Sequence, residues 1–202
     1  MFNCSGYNAA CVGKHSVDNG EQLYTYKFKL EDGTRYIVNI QVFEEINTCV
    51  VKFYLKRNEN SSSRYNTIVN KGKAREVFKT VLKISLDFYK TNPTMSFGFI
   101  GASRLKRSNG RGEESYNKTS RFEIYRYLTM STRFGRNKYD SVSILDKFDV
   151  FEDENSSIML LVNSENNDPN TLRSKVEKIV NEDYKDIFGH GLNVEFNRYT
   201  NN

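Results

Sequence analysis

The sequence predicts an α+β fold: an antiparallel sheet covered on one face by two helices, with a C-terminal strand pair and helix. Three observations predict it. Residues 24–56 read as a three-stranded meander, residues 73–90 (KAREVFKTVLKISLDFYK) keep one unbroken helical stripe, and the part beyond residue 140 runs through strand, strand and helix.

Residues 1–22 are polar and glycine-containing, with no sustained period, and read as a flexible arm. In TYKFKLEDG, Tyr26, Phe28 and Leu30 alternate with Lys27 and Lys29. Asp32-Gly33 then reads as a type I′ turn, and Tyr36, Val38, Ile40 and Val42 carry the return strand. After EEINT, Val51, Phe53 and Leu55 alternate with Lys52, Tyr54 and Lys56, giving each of the three strands one apolar and one largely polar face. A polar linker, a short extended TIV and Asn70 lead into the helix.

The stripe of that helix is Ala74, Val77, Phe78, Val81, Leu82, Ser85, Phe88 and Tyr89, opposite Arg75, Lys79, Lys83 and Lys90. Asn92-Pro93 stops it, because the residue before proline is pushed out of the helical region. SFGFIGA, residues 96–102, reads as a buried strand whose glycines suit close approach by a helix or a ligand. Ser120 and Glu123 read as a capping box opening a second helix over 120–134, with Phe122, Tyr125 and Leu128 at helical spacing. VSILDKFDVF and SIMLLVN form the C-terminal strand pair, the second apolar enough to be central. Asp168-Pro169 caps a third helix, and LNVEF, with Leu192, Val194 and Phe196 alternating, reads as a last edge strand.

Charge divides the chain unevenly. Residues 1–139 hold 24 Lys and Arg against 12 Asp and Glu, and residues 140–202 hold 6 against 13. The expected organisation is therefore an arm at 1–22, a basic core domain at 23–139, and an acidic C-terminal extension at 140–202 packed on the core. There is no run of eighteen apolar residues and no leader-like start, so a cytoplasmic protein without membrane contact is expected. Cys4, Cys11 and Cys49 are too few for a disulfide framework, which also suits a reducing compartment.

The candidate site is the polar stretch SRLKRSNGRGEESYNKT between the buried strand and the second helix. It delivers Arg104, Lys106, Arg107, Arg111 and Lys118 towards a helix start where Arg121 stands. Backbone N–H groups at a helix start favour an anion, and arginine offers phosphate a bidentate fork. The plainer alternative is a solvated basic loop. Glycines 98, 101, 110 and 112 match neither the phosphate-loop nor the dinucleotide pattern, and no cofactor is expected. Cys4, Cys11 and His15 lack metal-ligand spacing, so no metal is expected. Tyr65, Tyr116, Tyr125, Tyr127 and Tyr139 lie among basic residues, an arrangement open to base stacking and equally to ordinary packing.

The segments VFKTVLKISLDFYKTNP, SFGFIGAS and SRFEIYRYL, within residues 74–128, resemble a pattern found in uncharacterised small proteins of Bacteroidetes and of bacteriophages. The resemblance implies a mobile-element or host-defence setting and no particular activity. The function expected from the residues is a non-enzymatic module that binds a nucleic acid or other phosphate-bearing ligand through Arg104, Lys106, Arg107, Arg111, Lys118 and Arg121. Two alternatives stand beside it. One is a protein-interaction factor, such as an inhibitor or antitoxin-like partner, acting through a sheet edge or the acidic tail. The other is a metal-independent ribonuclease or nucleotide-processing enzyme built on Arg121, Tyr125 and a histidine.

Overall fold

The computed structural model describes residues 7–17, 21–61, 64–66, 73–101, 117–134, 147–165, 167–183 and 194–198. Among the described residues the fold is α+β, with three α-helices and largely antiparallel strands. It divides into two compact units. Unit 1 comprises Met1–Pro93 with Arg104–Glu113, and unit 2 comprises Thr94–Ser103 with Glu114–Asn202. Unit 1 holds 18 Lys and Arg against 10 Asp and Glu, and unit 2 holds 12 against 15.

Unit 1 is a four-stranded antiparallel meander, β1 (Ala9–Ser16), β2 (Gln22–Lys29), β3 (Arg35–Phe43) and β4 (Thr48–Leu55), followed by α1 (Ala74–Thr91). The predicted alternation gives the registers but not the burial, because β3 and β4 are buried on both faces, with Ile37 at 1 %, Tyr54 at 5 % and Asn39 at 8 % exposure on the side away from α1. Tyr24, Tyr26 and Phe28 sit opposite Ile40, Val38 and Tyr36, which in turn face Val51, Phe53 and Leu55 on β4. This is the face that α1 covers: Phe88 packs edge-on to Tyr24 at 5.1 Å and Phe78 edge-on to Phe53 at 5.2 Å. The helix buries Val77, Phe78, Val81, Ser85, Phe88 and Tyr89 as its stripe predicts, and also Thr80 and Ile84. Thr80 is admitted because its hydroxyl donates to the Glu76 carbonyl at 2.8 Å and accepts from the Tyr7 N–H at 2.9 Å. Asn92 closes the helix through its own N–H and Nδ2, both on the Phe88 carbonyl.

Two further expectations for this unit are corrected. Residues 9–16 are not arm but strand β1, paired with β2 along its length. It lies at the sheet's edge, seven of its eight residues are exposed, and a bulge between Cys11 and Gly13 shifts its register, so no period-two signal survives in the sequence. The β2–β3 connection is not a type I′ turn, which requires positive φ at two residues. Gly33 alone is left-handed there (φ 84°), and its N–H closes onto the Leu30 carbonyl at 3.0 Å. TIV and Asn70 lie outside the described residues.

Unit 2 orders its strands β5 (Ser96–Ile100), β7 (Ile158–Asn163), β6 (Phe148–Asp153) and β8 (Asn197–Arg198), all antiparallel. β7 is central and buried at every position, as its apolar run predicts. Helix α2 (Ser120–Phe134) starts where expected, but its cap is Thr119 rather than a Ser120–Glu123 box: the Thr119 hydroxyl accepts from the Phe122 N–H at 3.3 Å. Helix α3 (Pro169–Asp183) begins as predicted, with Asp168 accepting from the Thr171 N–H at 2.8 Å.

LNVEF does not form the last strand among the described residues; β8 follows it at Asn197–Arg198. Val194 and Phe196 are buried, yet their N–H groups go to the side chains of Asn181 and Glu177, and that of Glu195 goes to Asp153. Side-chain acceptors therefore take the bonds a ladder would use. Leu192 lies outside the described residues, as does the 139/140 boundary expected from charge.

Candidate functional site

Of the six residues expected to bind phosphate, Arg104, Lys106, Arg107 and Arg111 lie outside the described residues. Lys118 and Arg121 are described, and their surroundings differ sharply. Lys118 is exposed and left-handed (φ 48°), with its Nζ 2.8 Å from the Glu154 carboxylate, so an incoming phosphate competes with that carboxylate. Arg121 is 2 % exposed on the inner side of α2.

These two residues stand at a compact junction in unit 2. The Thr119 N–H donates to the Ser157 hydroxyl at 2.8 Å and the Thr119 hydroxyl to the Gly101 carbonyl at 2.7 Å. The Gly101 N–H donates to the Ser157 carbonyl and the Lys118 N–H to the Glu154 carbonyl. Ser157, at the end of the β6–β7 turn, is itself left-handed (φ 56°). Gly101 and Thr119 are thereby tied to one point at Ser157. Beside them Arg126 bridges two carboxylates, Glu152 at 3.2 Å and Glu154 at 2.9 Å.

Glu152 and Glu154 respond to this setting in opposite directions. Glu152 is buried, and desolvation raises its pKa although Arg126 pulls the other way. Glu154 is lowered, first by its hydrogen bond from Lys118. The folded chain holds the Glu152 proton to higher pH than the unfolded chain, so stability from this group, full at low pH, is lost as pH rises from the ordinary glutamate range through the folded pKa. Glu154 contributes stability at neutral pH that is lost as pH falls through its lowered pKa. Glu152→Gln should accordingly stabilise the protein at about pH 8 and not at about pH 4, read by urea denaturation at both. A variant less stable than the parent at the upper pH would show that the ion pair with Arg126 outweighs the desolvation.

Among the described residues of unit 2, no histidine stands with the Arg121 and Tyr125 of the enzyme alternative. Arg121 and Tyr125 are both buried, and desolvation holds the Tyr125 phenol far above its usual range, unsuited to proton transfer at neutral pH. His15 is exposed on β1 of unit 1, and His190 lies outside the described residues. Among the described residues no three His, Cys, Asp or Glu side chains form a metal-binding group.

A second constellation occupies the other face of the unit 1 meander. The same registers that turn Tyr24, Val38 and Phe53 towards α1 turn Leu23, Thr25, Lys27, Lys29, Arg35, Ile37, Asn39, Gln41, Lys52 and Tyr54 away from it. Lys29 and Arg35 are direct partners across the β2–β3 ladder and both are exposed, with exposed Lys27 two residues along. Like charges directly opposite one another destabilise a sheet. Deeper on this face the Thr25 hydroxyl donates to Asn39 Oδ1 at 3.3 Å, and Lys52 Nζ donates to Gln41 Oε1 at 2.7 Å. The Arg64 guanidinium lies over the Tyr54 and Tyr65 rings at 5.3 and 5.0 Å, and the two rings meet edge-on.

The sequence held a signal for this face that the loop's arginines overshadowed. Lys27 and Lys29 already alternated with the core aromatics, but Arg35 joins them only when the turn length, and hence the register, is known. Comparison with known proteins finds no matching family model, curated protein or solved structure.

Proposed function

We propose that the chain is a non-enzymatic binding module for a nucleic acid, whose phosphates it holds at the exposed Lys27, Lys29 and Arg35 end of the β2–β3 pair in unit 1. The observation that carries the reading is the exposed basic row Lys27, Lys29 and Arg35, with Lys29 set directly against Arg35. A sheet that places like charges opposite each other gives up stability, and an anionic ligand turns that repulsion into attraction. The excess of basic residues in unit 1 supports the same reading. Arg104, Lys106, Arg107 and Arg111 add phosphate contacts in this proposal. The resemblance of residues 74–128 supports a bacterial or phage setting.

Fluorescence anisotropy with single- and double-stranded DNA and RNA tests it. The three contacts at Lys27, Lys29 and Arg35 alone predict an affinity that falls roughly 20- to 40-fold between about 50 and 200 mM salt, and each further contact steepens the fall. Lys29→Glu separates function from stability: it creates an opposite-charge pair with Arg35, stabilising the sheet by about 0.2–1 kcal/mol, while weakening binding about tenfold. No binding to any of the four ligands at low salt, or full affinity in the variant, would overturn the proposal.

A protein partner is the second reading, favoured by the edge strand β1 and the residue that follows it, where Val12 is 48 % and Val17 37 % exposed. A partner protein that co-purifies regardless of nuclease treatment, with no nucleic acid bound, would establish it instead.

A further inference from the structure

Beside the basic row of unit 1 stands a carboxylate that the row does not use. Between Glu45 and Glu76 the chain holds seven Lys and Arg and a single acid, Glu59. Strand β4 runs into a short turn, Lys56–Asn58, which Glu59 closes by donating its N–H to the Lys56 carbonyl at 3.1 Å. The Lys56 ammonium donates to the Glu59 carboxylate. By itself this is a local surface pair of little worth. Two further cations reach the same place. Arg64 donates through Nη1 to the Glu59 backbone carbonyl at 3.1 Å, and its guanidinium lies over the Tyr54 and Tyr65 rings at 5.3 and 5.0 Å. Lys27 comes from β2, where it pairs with Ile37, which pairs in turn with Tyr54. One line across the sheet thus joins Lys27 to a ring beneath Arg64, about 10 Å from Cα to Cα. Lys56 most, through its hydrogen bond, then Lys27 and Arg64 through their charge, hold the Glu59 carboxyl below its ordinary value.

We infer that Lys56, Arg64 and Lys27 form a seat for a phosphate group, which Glu59 fills until a ligand displaces it. Carboxylate and phosphate oxygens accept the same charge-assisted bonds. A guanidinium has five N–H donors in a planar fork, and the bond to the Glu59 carbonyl uses one of them. Among the described residues the Glu59 carboxylate is bonded to Lys56 alone, whereas a phosphate, with more charge and more oxygens, engages Lys56 and Arg64 together. Exchange needs no opening of the core, because the Lys56 and Glu59 side chains are 41 % and 39 % exposed. The phosphate comes from a nucleic-acid backbone or is free. In the first case the seat shares Lys27 with the row Lys27, Lys29 and Arg35 and rests on the nucleic-acid reading; in the second it does not.

The test measures binding of the full chain to two probes at about 100 mM salt. A fluorescent single-stranded oligonucleotide is followed by anisotropy, and inorganic pyrophosphate by the shifts of backbone amide signals in NMR. Glu59→Gln removes the competitor and should tighten binding about two- to fivefold, the worth of an exposed ion pair. That gain should vanish when Lys56→Gln is added, because the cation it frees is gone. Glu45→Gln removes the same charge beyond the far end of β3, about 20 Å away and outside the screening length, and should leave affinity unchanged.

A Lys56-dependent gain with either probe supports the seat, and the probe that shows it identifies the source of the phosphate. A gain that persists without Lys56, or that Glu45→Gln reproduces, reports net charge alone and would sink the inference, as would no gain with either probe. Oligonucleotide bound equally by every variant would remove the seat and leave the nucleic-acid reading standing. A gain with pyrophosphate in a chain that binds no oligonucleotide would do the reverse.

Discussion

Phe78→Ala is expected to destabilise unit 1 by about 3–5 kcal/mol, the range for removing a large aromatic from a closed core. Phe78 is 1 % exposed, and its ring meets Phe53 edge-on at 5.2 Å, where α1 lies on the meander. Phe53 in turn neighbours Tyr36, whose ring stacks on Phe28 at 5.1 Å, so the cavity would open against a continuous row of rings. Rings within strands of a hydrogen-bonded sheet cannot close in on that space without disturbing the ladder. Chemical denaturation followed by near-ultraviolet circular dichroism would measure the loss, with Phe78→Leu retaining most of the stability. A loss below about 1 kcal/mol would mean that Phe78 is not central to this core.

Gly101→Ala tests the junction in unit 2 from the opposite direction, by adding atoms. A Cβ at Gly101 would lie 2.5 Å from the Thr119 hydroxyl and 2.9 Å from both the Cβ and the backbone nitrogen of Phe122. The hydroxyl could rotate away at the expense of its bond to the Gly101 carbonyl, but the Phe122 nitrogen belongs to the first turn of α2 and cannot yield alone. A destabilisation of about 1–3 kcal/mol or more is expected. The double variant Gly101→Ala, Thr119→Ala should recover only part of it, because the contact with the Phe122 backbone persists. Full recovery would place the whole conflict at the hydroxyl.

Much of the scaffold was legible because period and burial coincide. Helix α1 shows one apolar face at helical spacing, β7 is buried on both sides and reads as a continuous apolar run, and Asp168-Pro169 is a start signal with its own local chemistry. Legibility failed where an element's bonds are not written in hydrophobicity. Strand β1 is held by its ladder to β2 with little burial, and Val194 and Phe196 bury their side chains while Asn181 and Glu177 capture their N–H groups.

The functional reading shows the same division. Arginine and lysine can be counted in a sequence, but whether each meets solvent depends on contacts distant along the chain. Arg121 looked like a phosphate donor and is buried; Lys118 looked like its neighbour in function and faces Glu154. Conversely, Lys52 carries no motif. Burial and Arg64 lower its pKa against the pull of Glu21, groups brought together from separate positions along the chain.

The Thr119 clasp has a consequence for how this protein can diverge. Because Gly101 and Thr119 are joined to each other and to Ser157, the segment leaving β5 begins and ends at one fixed place. Closing a loop between fixed ends becomes only about 0.6 kcal/mol less favourable for each doubling of its length. With Gly101, Thr119 and Ser157 kept, a doubling of the length between Gly101 and Thr119 is therefore expected to cost unit 2 only about 0.6 kcal/mol, as urea denaturation of an insertion variant would measure. Relatives that share this clasp should differ most in length and charge there, while Gly101, Thr119 and Ser157 stay constant.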